Sequence, residues 1–588
     1  MLAFVGELRR RNVFRAGTLY AAAAWLVVQV ATQVLPVFDA PNWVQRLIVV
    51  AAVIGLPFVL AFAWYYELTP EGLKLESEVE REHSIRHLTG KRLDRAIIAV
   101  LCVVVVVLLA NTFVLHRDAD AISGKSVAVL PLLDESAGGS DRYFSDGLSE
   151  ELISDLTQIN GLKVIGRNSS FQFRGDTSDS RSIGDRLGVA TLLEGTVRRD
   201  GERVRIVIGL VNAADGRSLW SQTYDRDFKD IFAVQSDISR SVASAMQIEL
   251  SGAADGSDGQ PPGGNLQAYN AYLQGKFYGE RGTQADERRA IAELERAVRI
   301  DPRYAQAYAE LSMTWTSMTS VFLGGAEMRQ GYQRSREAAD AALRLAPNLA
   351  AAHVARGSLL YASDFDWAGA EAEYRRALQL TPNDGEAKYR LGTLLATLGQ
   401  PAPAIDLTRQ ALVTDPLHAN WYSSLASYLA ALGRLDEAEQ AIGKAIELQP
   451  SSTYYHAALA FVNIQRGEAE AALRAARDEP AGPWRDIAMA MARQIGGDSA
   501  AANEALRIVV DQHAGDGAYQ IAEIYGVRKQ PDQVFQWLDR AHANGDPGVS
   551  NVLLDPFLTA YKDDPRFAAF CRKVGLPAPA PRAKQGAG

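Results

Sequence analysis

The pattern of apolar and polar positions changes character near residue 116. Before that point three apolar runs dominate, at residues 16–38, 46–66 and 96–115, and the last has no charged side chain. A helix rising about 1.5 Å per residue needs about 20 apolar residues to cross the bilayer core, so each run predicts a membrane span. A buried core helix is the alternative for each, and the alanine-rich first run leaves it most room. Gly55 and Pro57 predict a kink in the second run, and Trp43, Trp64, Tyr65 and Tyr66 fall at headgroup level, where amphipathic rings are favoured.

Beyond residue 116 the spacing becomes that of a folded domain. SVAVLPLL (126–133) reads as a buried strand. Residues 145–159 carry Leu148, Leu152, Leu156 and Ile159 on one helical face, with Ser145 or Asp146 as the cap and Gly161 past the end. LKVIG (162–166) predicts a second strand and RSIGDRLGV a short helix. Three strands follow, ATLLEGTVRR, RVRIVIGLV and RSLWSQTYD, joined by turns containing Asp200-Gly201 and Asp215-Gly216. Asp-Gly supplies the positive φ that tight hairpins need, so these strands form a meander. A helix over 229–250 completes a small α/β domain with a mixed sheet, at 124–250.

Residues 251–265, SGAADGSDGQPPGGN, read as a flexible linker. After it, Pro347, Pro382, Pro416 and Pro450 recur every 34 or 35 residues, and Pro302 ends an earlier helical pattern. Ala370 and Ala377, Ala404 and Ala411, and Ala438 and Ala445 stand at the same offsets before three of these prolines. That period and those small residues are the signature of tetratricopeptide (TPR) repeats, in which paired antiparallel helices approach closely. Tyr308, Leu311, Trp315, Tyr361, Leu391 and Leu425 are the larger fillers. Seven or eight units are expected across 266–547. The unit ending at Pro347 is longer, with the extra length placed in a loop at 322–328. The array with its C-terminal cap spans 266–577, and 578–588 reads as a disordered tail.

Charge sets the expected orientation. Arg9, Arg10, Arg11 and Arg15 lie in the N-terminal segment 1–15, and Lys74, Arg81, Arg86, Lys91, Arg92 and Arg95 lie in 67–95. The intervening loop DAPNWVQ has no Lys or Arg. Basic flanks stay cytoplasmic, so both segments are expected in the cytosol and everything after residue 116 on the far side. In a Gram-negative cell that is the periplasm, with the anchor in the inner membrane. A cleaved signal peptide over 1–32 is the rival reading, disfavoured by the two further spans.

Several chemistries are excluded or weak. A net charge of −9 argues against nucleic acid as a partner. Only two cysteines occur, Cys102 and Cys571, too few for a Cys-x-x-Cys zinc site. His83 and His87 are spaced i, i+4 without a third ligand, so no metal is expected, and no cofactor motif is present. No GxSxG occurs, and no enzyme is expected. Asp146, Glu150, Glu151 and Asp155 crowd one helix; this reads as a solvated acidic face near a helix N-terminus rather than an acid–base pair. Arg167, Asn168, Ser169 and Ser170 follow a strand, where α/β folds place ligands, and form a candidate ligand loop. In the array, the register puts Glu386, Tyr389, Asn420, Ser423 and Ser427 on the concave face, as candidate partner-binding residues.

The residues VAVLPLLDESAGGSDRYFSDGLSEELISDL, LKVIGRNSSF and LLEGTVRRDGERVRIVIGLVNAADGRSLWSQTYDR together resemble the TolB amino-terminal-like domain, related to the FlgO type, over about 124–250. The resemblance implies a domain found beside TPR repeats and joined to a winged helix, a nucleotide cyclase or a membrane module. ELRRRNVFR, the paired spans and YYELTPEGL resemble the membrane kind. The expected architecture is therefore multidomain: an α-helical membrane module, a small α/β domain and an all-α TPR solenoid. The expected role is a membrane-anchored periplasmic scaffold that recruits protein or peptide partners. The alternative is a transmembrane sensor whose α/β domain binds a small ligand and signals to a cytoplasmic partner.

Overall fold

The computed structural model describes residues 124–248 (except 137, 138, 140 and 160) and 264–578 (except 516), with 20, 24, 55–57, 66–69 and 72–75 nearer the N-terminus. Almost all of the three segments read as spans, the basic stretches around them, most of the 251–265 linker and all but the first residue of the 578–588 tail lie outside these residues. Among the described residues no helix is long and apolar enough to cross a membrane. The chain divides into two units, 1–121 and 122–588. In the first, Tyr66–Thr69 pairs antiparallel with Gly72–Leu75, a short hairpin where the sequence suggested the end of a span and a loop.

In the second unit the sheet has six strands. These are β1 (Ser126–Val129), β2 (Leu133–Asp134), β3 (Lys163–Val164), β4 (Thr191–Asp200), β5 (Arg203–Asn212) and β6 (Ser218–Asp227). Their order is β3-β1-β4-β5-β6, with β2 beside the far half of β4. Strands β1 and β2 run parallel to β4, β3 runs parallel to β1, and β4, β5 and β6 form the antiparallel meander. Gly201 and Gly216 take positive φ in its turns, as Asp-Gly predicted. The expected single strand 126–133 is two strands, because Pro131 has no N–H to donate to a ladder.

Helix α1 (Arg142–Thr157) starts earlier than predicted, with Asp141 at its N-cap; Ser145 and Asp146 are buried within it, not capping it. A single turn, α2 (Arg167–Ser170), follows β3. Helix α3 (Ser180–Leu187) is capped by the Asp179 carboxylate, which accepts from Ser182 N, and ends at Gly188 with φ +63°. Helix α4 (Ile231–Ala245) covers one sheet face with α1.

The repeats begin at Leu266, where Asn265 accepts from the amides of Gln267 and Ala268. Eight helical pairs follow among the described residues. They are α5 and α6 (Leu266–Gly279, Gln284–Ile300), α7 and α8 (Ala305–Phe322, Gly325–Leu345), α9 and α10 (Ala350–Leu359, Trp367–Leu380), and α11 and α12 (Gly385–Thr397, Pro401–Thr414). The rest are α13 and α14 (Ala419–Ala431, Leu435–Leu448), α15 and α16 (Tyr455–Arg466, Ala469–Asp478), α17 and α18 (Pro483–Ile495, Ser499–His513), and α19 and α20 (Ala518–Val527, Pro531–Asn544). All six register alanines, from Ala370 to Ala445, are 0 % exposed, as close helix approach requires.

Two departures from the 34-residue period have local causes. The second unit is longer because its helices have 18 and 21 residues, not because of a long loop. The extra residue between Pro347 and Pro382 is absorbed by a π-turn over Leu360–Asp364, followed by Phe365 at φ +51°.

The array folds back on itself. After α20, the chain crosses to the middle repeats. Leu553 lies against Gly399, Leu554 packs with the α12 to α15 core, and Trp367 Nε1 donates to Gly575 O at 2.8 Å. Short helices α21 (Pro556–Thr559) and α22 (Pro565–Lys573) form the cap, with Phe567, Phe570 and Cys571 buried.

Candidate functional site

The five residues expected on the concave face fall into two groups. Ser423 and Ser427, one turn apart on α13, line a cavity of about 290 Å³ between the later repeats and the cap. Glu386, Tyr389 and Asn420 lie outside its lining and are engaged by neighbours. Glu386 pairs with Arg390 at 2.7 Å. Tyr389 stacks on Trp421 with centroids 5.1 Å apart and shares a hydrogen bond with Ser424 at 3.0 Å. Asn420 accepts from the Tyr455 hydroxyl.

The cavity is built from first helices and bordered on one side by the cap. Tyr454 is held in the left-handed region, φ +83°, where its amide donates to Glu479, a carboxylate buried at the end of α16 in the same helical pair. This conformation is costly for a side chain with a Cβ. It sets the Tyr454 ring edge-on to Trp484, centroids 4.7 Å apart, and near Phe461 at 6.4 Å. Phe557 of the cap meets Phe461 at 6.3 Å. The polar side is Glu523 on α19 and Asp555 at the start of α21. Asp555 is 7 % exposed and accepts from Tyr519 Oη at 3.0 Å and from the amides of Phe557 and Leu558. Glu523 hydrogen-bonds Asp555, and burial together with that neighbouring acid pushes its carboxyl well above the usual range. Burial and the nearby Glu523 likewise raise the Tyr454 hydroxyl, to about 12. Among the described residues lining the cavity none is Lys or Arg.

The sequence did not single out Tyr454, Trp484, Glu523 and Asp555. They lie after Pro450, where the repeat pattern weakens, or in the cap. Carrying the register of Ser423 and Ser427 into the last pair lands on Ala522 and Gly526, so it does not name Tyr519 and Glu523 either.

The α/β domain meets the array along a buried ionic seam. The acidic run on α1 is not a solvated face: Asp146, Glu150 and Glu151 are only 4–6 % exposed. Arg174 pairs with Asp146, and Arg167 pairs with Glu150 and reaches Glu280 of the first repeat at 2.8 Å. Lys276 of α5 lies 3.0 Å from Glu150 and 3.3 Å from Glu151. Burial alone would raise Glu150, but Lys276 and Arg167 outweigh it and hold its carboxyl below the usual range; for Glu151 burial wins and its carboxyl is raised. Helices α1 and α5 touch so closely at Gly147 that a Cβ there would lie 2.6 Å from Leu273. Gln235 donates to Tyr269 at 2.6 Å, and one apolar core continues from Leu148 and Leu152 to Tyr272 and Tyr304.

The candidate ligand loop sits on a second contact with the array. Asp415 accepts from the Ser169 amide at 2.7 Å and from its hydroxyl, which accepts in turn from Leu417 N at 2.8 Å. Gly166 N donates to Thr414 O at 2.7 Å. Arg167 belongs to the ionic seam, Asn168 reaches Asp415, and Ser170 is fully buried.

Comparison with known proteins supports the repeat reading. A family model described as tetratricopeptide repeat matches residues 365–419 and 389–453. "Putative adenylate cyclase 3" of Rhizobium meliloti (strain 1021) is 36% identical over 188 residues, 32% of each chain. "Small glutamine-rich tetratricopeptide repeat-containing protein 2" of Mycosarcoma maydis is 33% identical over 87 residues, 15% of this chain and 25% of that protein. The chain thus spans a third or less of the length of these curated relatives. Among solved structures, the TPR protein YrrB, described as having an unusual peptide-binding site, aligns over 36% of this chain and 97% of its own, with 20% identity and a TM-score of 0.26. Pseudomonas aeruginosa pilF aligns over 38% and 96%, with 15% identity and a TM-score of 0.30. The chain carries tetratricopeptide repeats, matched over 365–453, within a helical solenoid that is joined to a small mixed-sheet domain.

Proposed function

We propose that this chain is a membrane-anchored scaffold that recruits a protein partner through the concave face of its repeats, with the α/β domain and array exported to the periplasm. The observation that carries the recruiting role is the cavity beside Ser423 and Ser427, open on a face built from the first helices of successive repeats. A TPR solenoid is suited to this work because stacked helical pairs present an extended concave surface. Support for the anchor is the sequence alone: three apolar runs of spanning length and basic flanks on the two segments expected inside.

The sensor alternative draws less support, because the Ser169 donors of the candidate ligand loop are committed to Asp415. The enzymatic name of the Rhizobium meliloti relative belongs to that protein, and recruitment requires no catalysis. ATP cyclisation by the purified chain would reinstate an enzymatic reading. The anchor is tested by reporter fusions after residue 120 and at the C-terminus: both should report export. Activity of a cytoplasmic reporter at either point would reverse the orientation. Recruitment is tested by capture from envelope extract with the full-length chain, comparing wild type with Ser427→Trp, which fills the cavity mouth. Equal recovery of every partner would remove the concave face from the account.

A further inference from the structure

The cavity on the concave face has a composition that selects its occupant. Its walls are aromatic: Tyr454 and Trp484 meet edge to face at 4.7 Å, and Phe461 and Phe557 continue the surface. Its polar side is a carboxyl pair, Glu523 and Asp555, and no lysine or arginine is among the described residues that line it. Aromatic faces attract cations through their quadrupole, and the attraction grows when water is excluded. A carboxylate beside them, lacking a cationic partner from the protein, completes the complement. The volume, about 290 Å³, is at the small end of ligand pockets, so it admits one long side chain rather than a folded element.

Resting on the scaffold reading above, we infer that this cavity seats a single basic side chain, lysine or arginine, from an extended segment of the recruited partner. The stem lies along Phe461 and Trp484, and the charged head reaches Glu523. Ser427 borders the mouth, where the partner's backbone passes, and the buried Ser423 lies one turn away along α13. The Asp555 carboxylate is already held by Tyr519 Oη and two amides, so Glu523, whose hydrogen bond runs to Asp555, is the acid that turns its other oxygen to the incoming cation.

The test uses the full-length chain in mild detergent, labelled with 5-fluorotryptophan, with the Trp484 resonance assigned by Trp484→Phe. The probes are capped pentapeptides, Ala-Ala-Xaa-Ala-Ala, in which Xaa is arginine, lysine, norleucine or glutamate. The arginine and lysine peptides should move the Trp484 resonance at millimolar concentration; norleucine and glutamate should not. Glu523→Gln, which keeps the shape and can still donate to Asp555, should weaken the arginine peptide at least about tenfold. Phe557→Leu should weaken it several-fold through loss of the aromatic wall. An equal response to norleucine and arginine, or no response to any peptide, would overturn the inference. The wild-type comparison decides even if a variant fails to fold. Failure here is distinguishable from failure of the scaffold reading: a partner still captured in a Ser427-dependent way, with no preference for basic peptides, leaves recruitment standing and removes only its cationic anchor.

Discussion

Lys276→Met removes the cation from the seam between the α/β domain and the first repeat. In the native protein that ammonium lies 3.0 Å from Glu150 and 3.3 Å from Glu151, two carboxylates whose side chains are only 6 % exposed. Methionine keeps most of the stem's volume, so the change is chiefly electrostatic. Removing one partner of a buried ion pair costs about 3–5 kcal/mol, because the remaining charge stays desolvated. Arg167 still holds Glu150, so the lower figure, about 3 kcal/mol, is expected. Hydrogen exchange of the full-length chain reads this locally. Amides in 143–157 and 266–280 should exchange about a hundredfold faster, while those in 483–544 are unchanged. The sign of the pH effect follows from Glu151. Burial already raises its carboxyl, so its contribution to stability is full at low pH and is lost as pH rises through its folded pKa. Without Lys276 the carboxyl rises further, and the defect should be larger at pH 8 than at pH 5. Adding Glu151→Gln should restore part of the protection. Exchange in both helices within twofold of wild type would refute the reasoning: the seam would be solvated and the domain free of the array.

Three further outcomes are expected. Gly147→Leu should destabilise the α1–α5 contact by about 1–3 kcal/mol through overpacking, and Leu273→Ala should relieve much of that loss in thermal unfolding. Asp415→Ala should cost about 1–3 kcal/mol by leaving the buried Ser169 amide unsatisfied, read by chemical unfolding of the full-length chain. Because burial and Asp555 raise Glu523, a basic peptide should bind more weakly at pH 5 than at pH 8; identical titrations at both would exclude Glu523 as its partner.

The sequence made the repeats legible because their physics is local and periodic. A helix pair that must pack at 34-residue intervals leaves alanines at fixed offsets, and all six named positions are fully buried. The meander was legible for a similar reason, since Asp-Gly prescribes the turns. The ionic seam was not. Glu150 and Glu151 resemble any exposed helical acids until Lys276, 125 or more positions later, is brought beside them. The partner of Ser169 is hidden in the same way, 246 positions away at Asp415. Register singled out Ser423 and Ser427, which line the cavity, but not its aromatic walls. Tyr454 owes its placement to a strained backbone held by Glu479, and Phe557 owes its placement to a cap that folds back across the array. Neither leaves a periodic trace.

The claim that the concave face recruits a partner is tested most directly by site-specific photo-crosslinking in living cells. A photoreactive amino acid would be placed either at Ser427, bordering the cavity, or at Glu447, exposed on the second helix of the same repeat. The account predicts discrete crosslinked protein at position 427 and none at 447. Crosslinking at 447 with silence at 427 would contradict it.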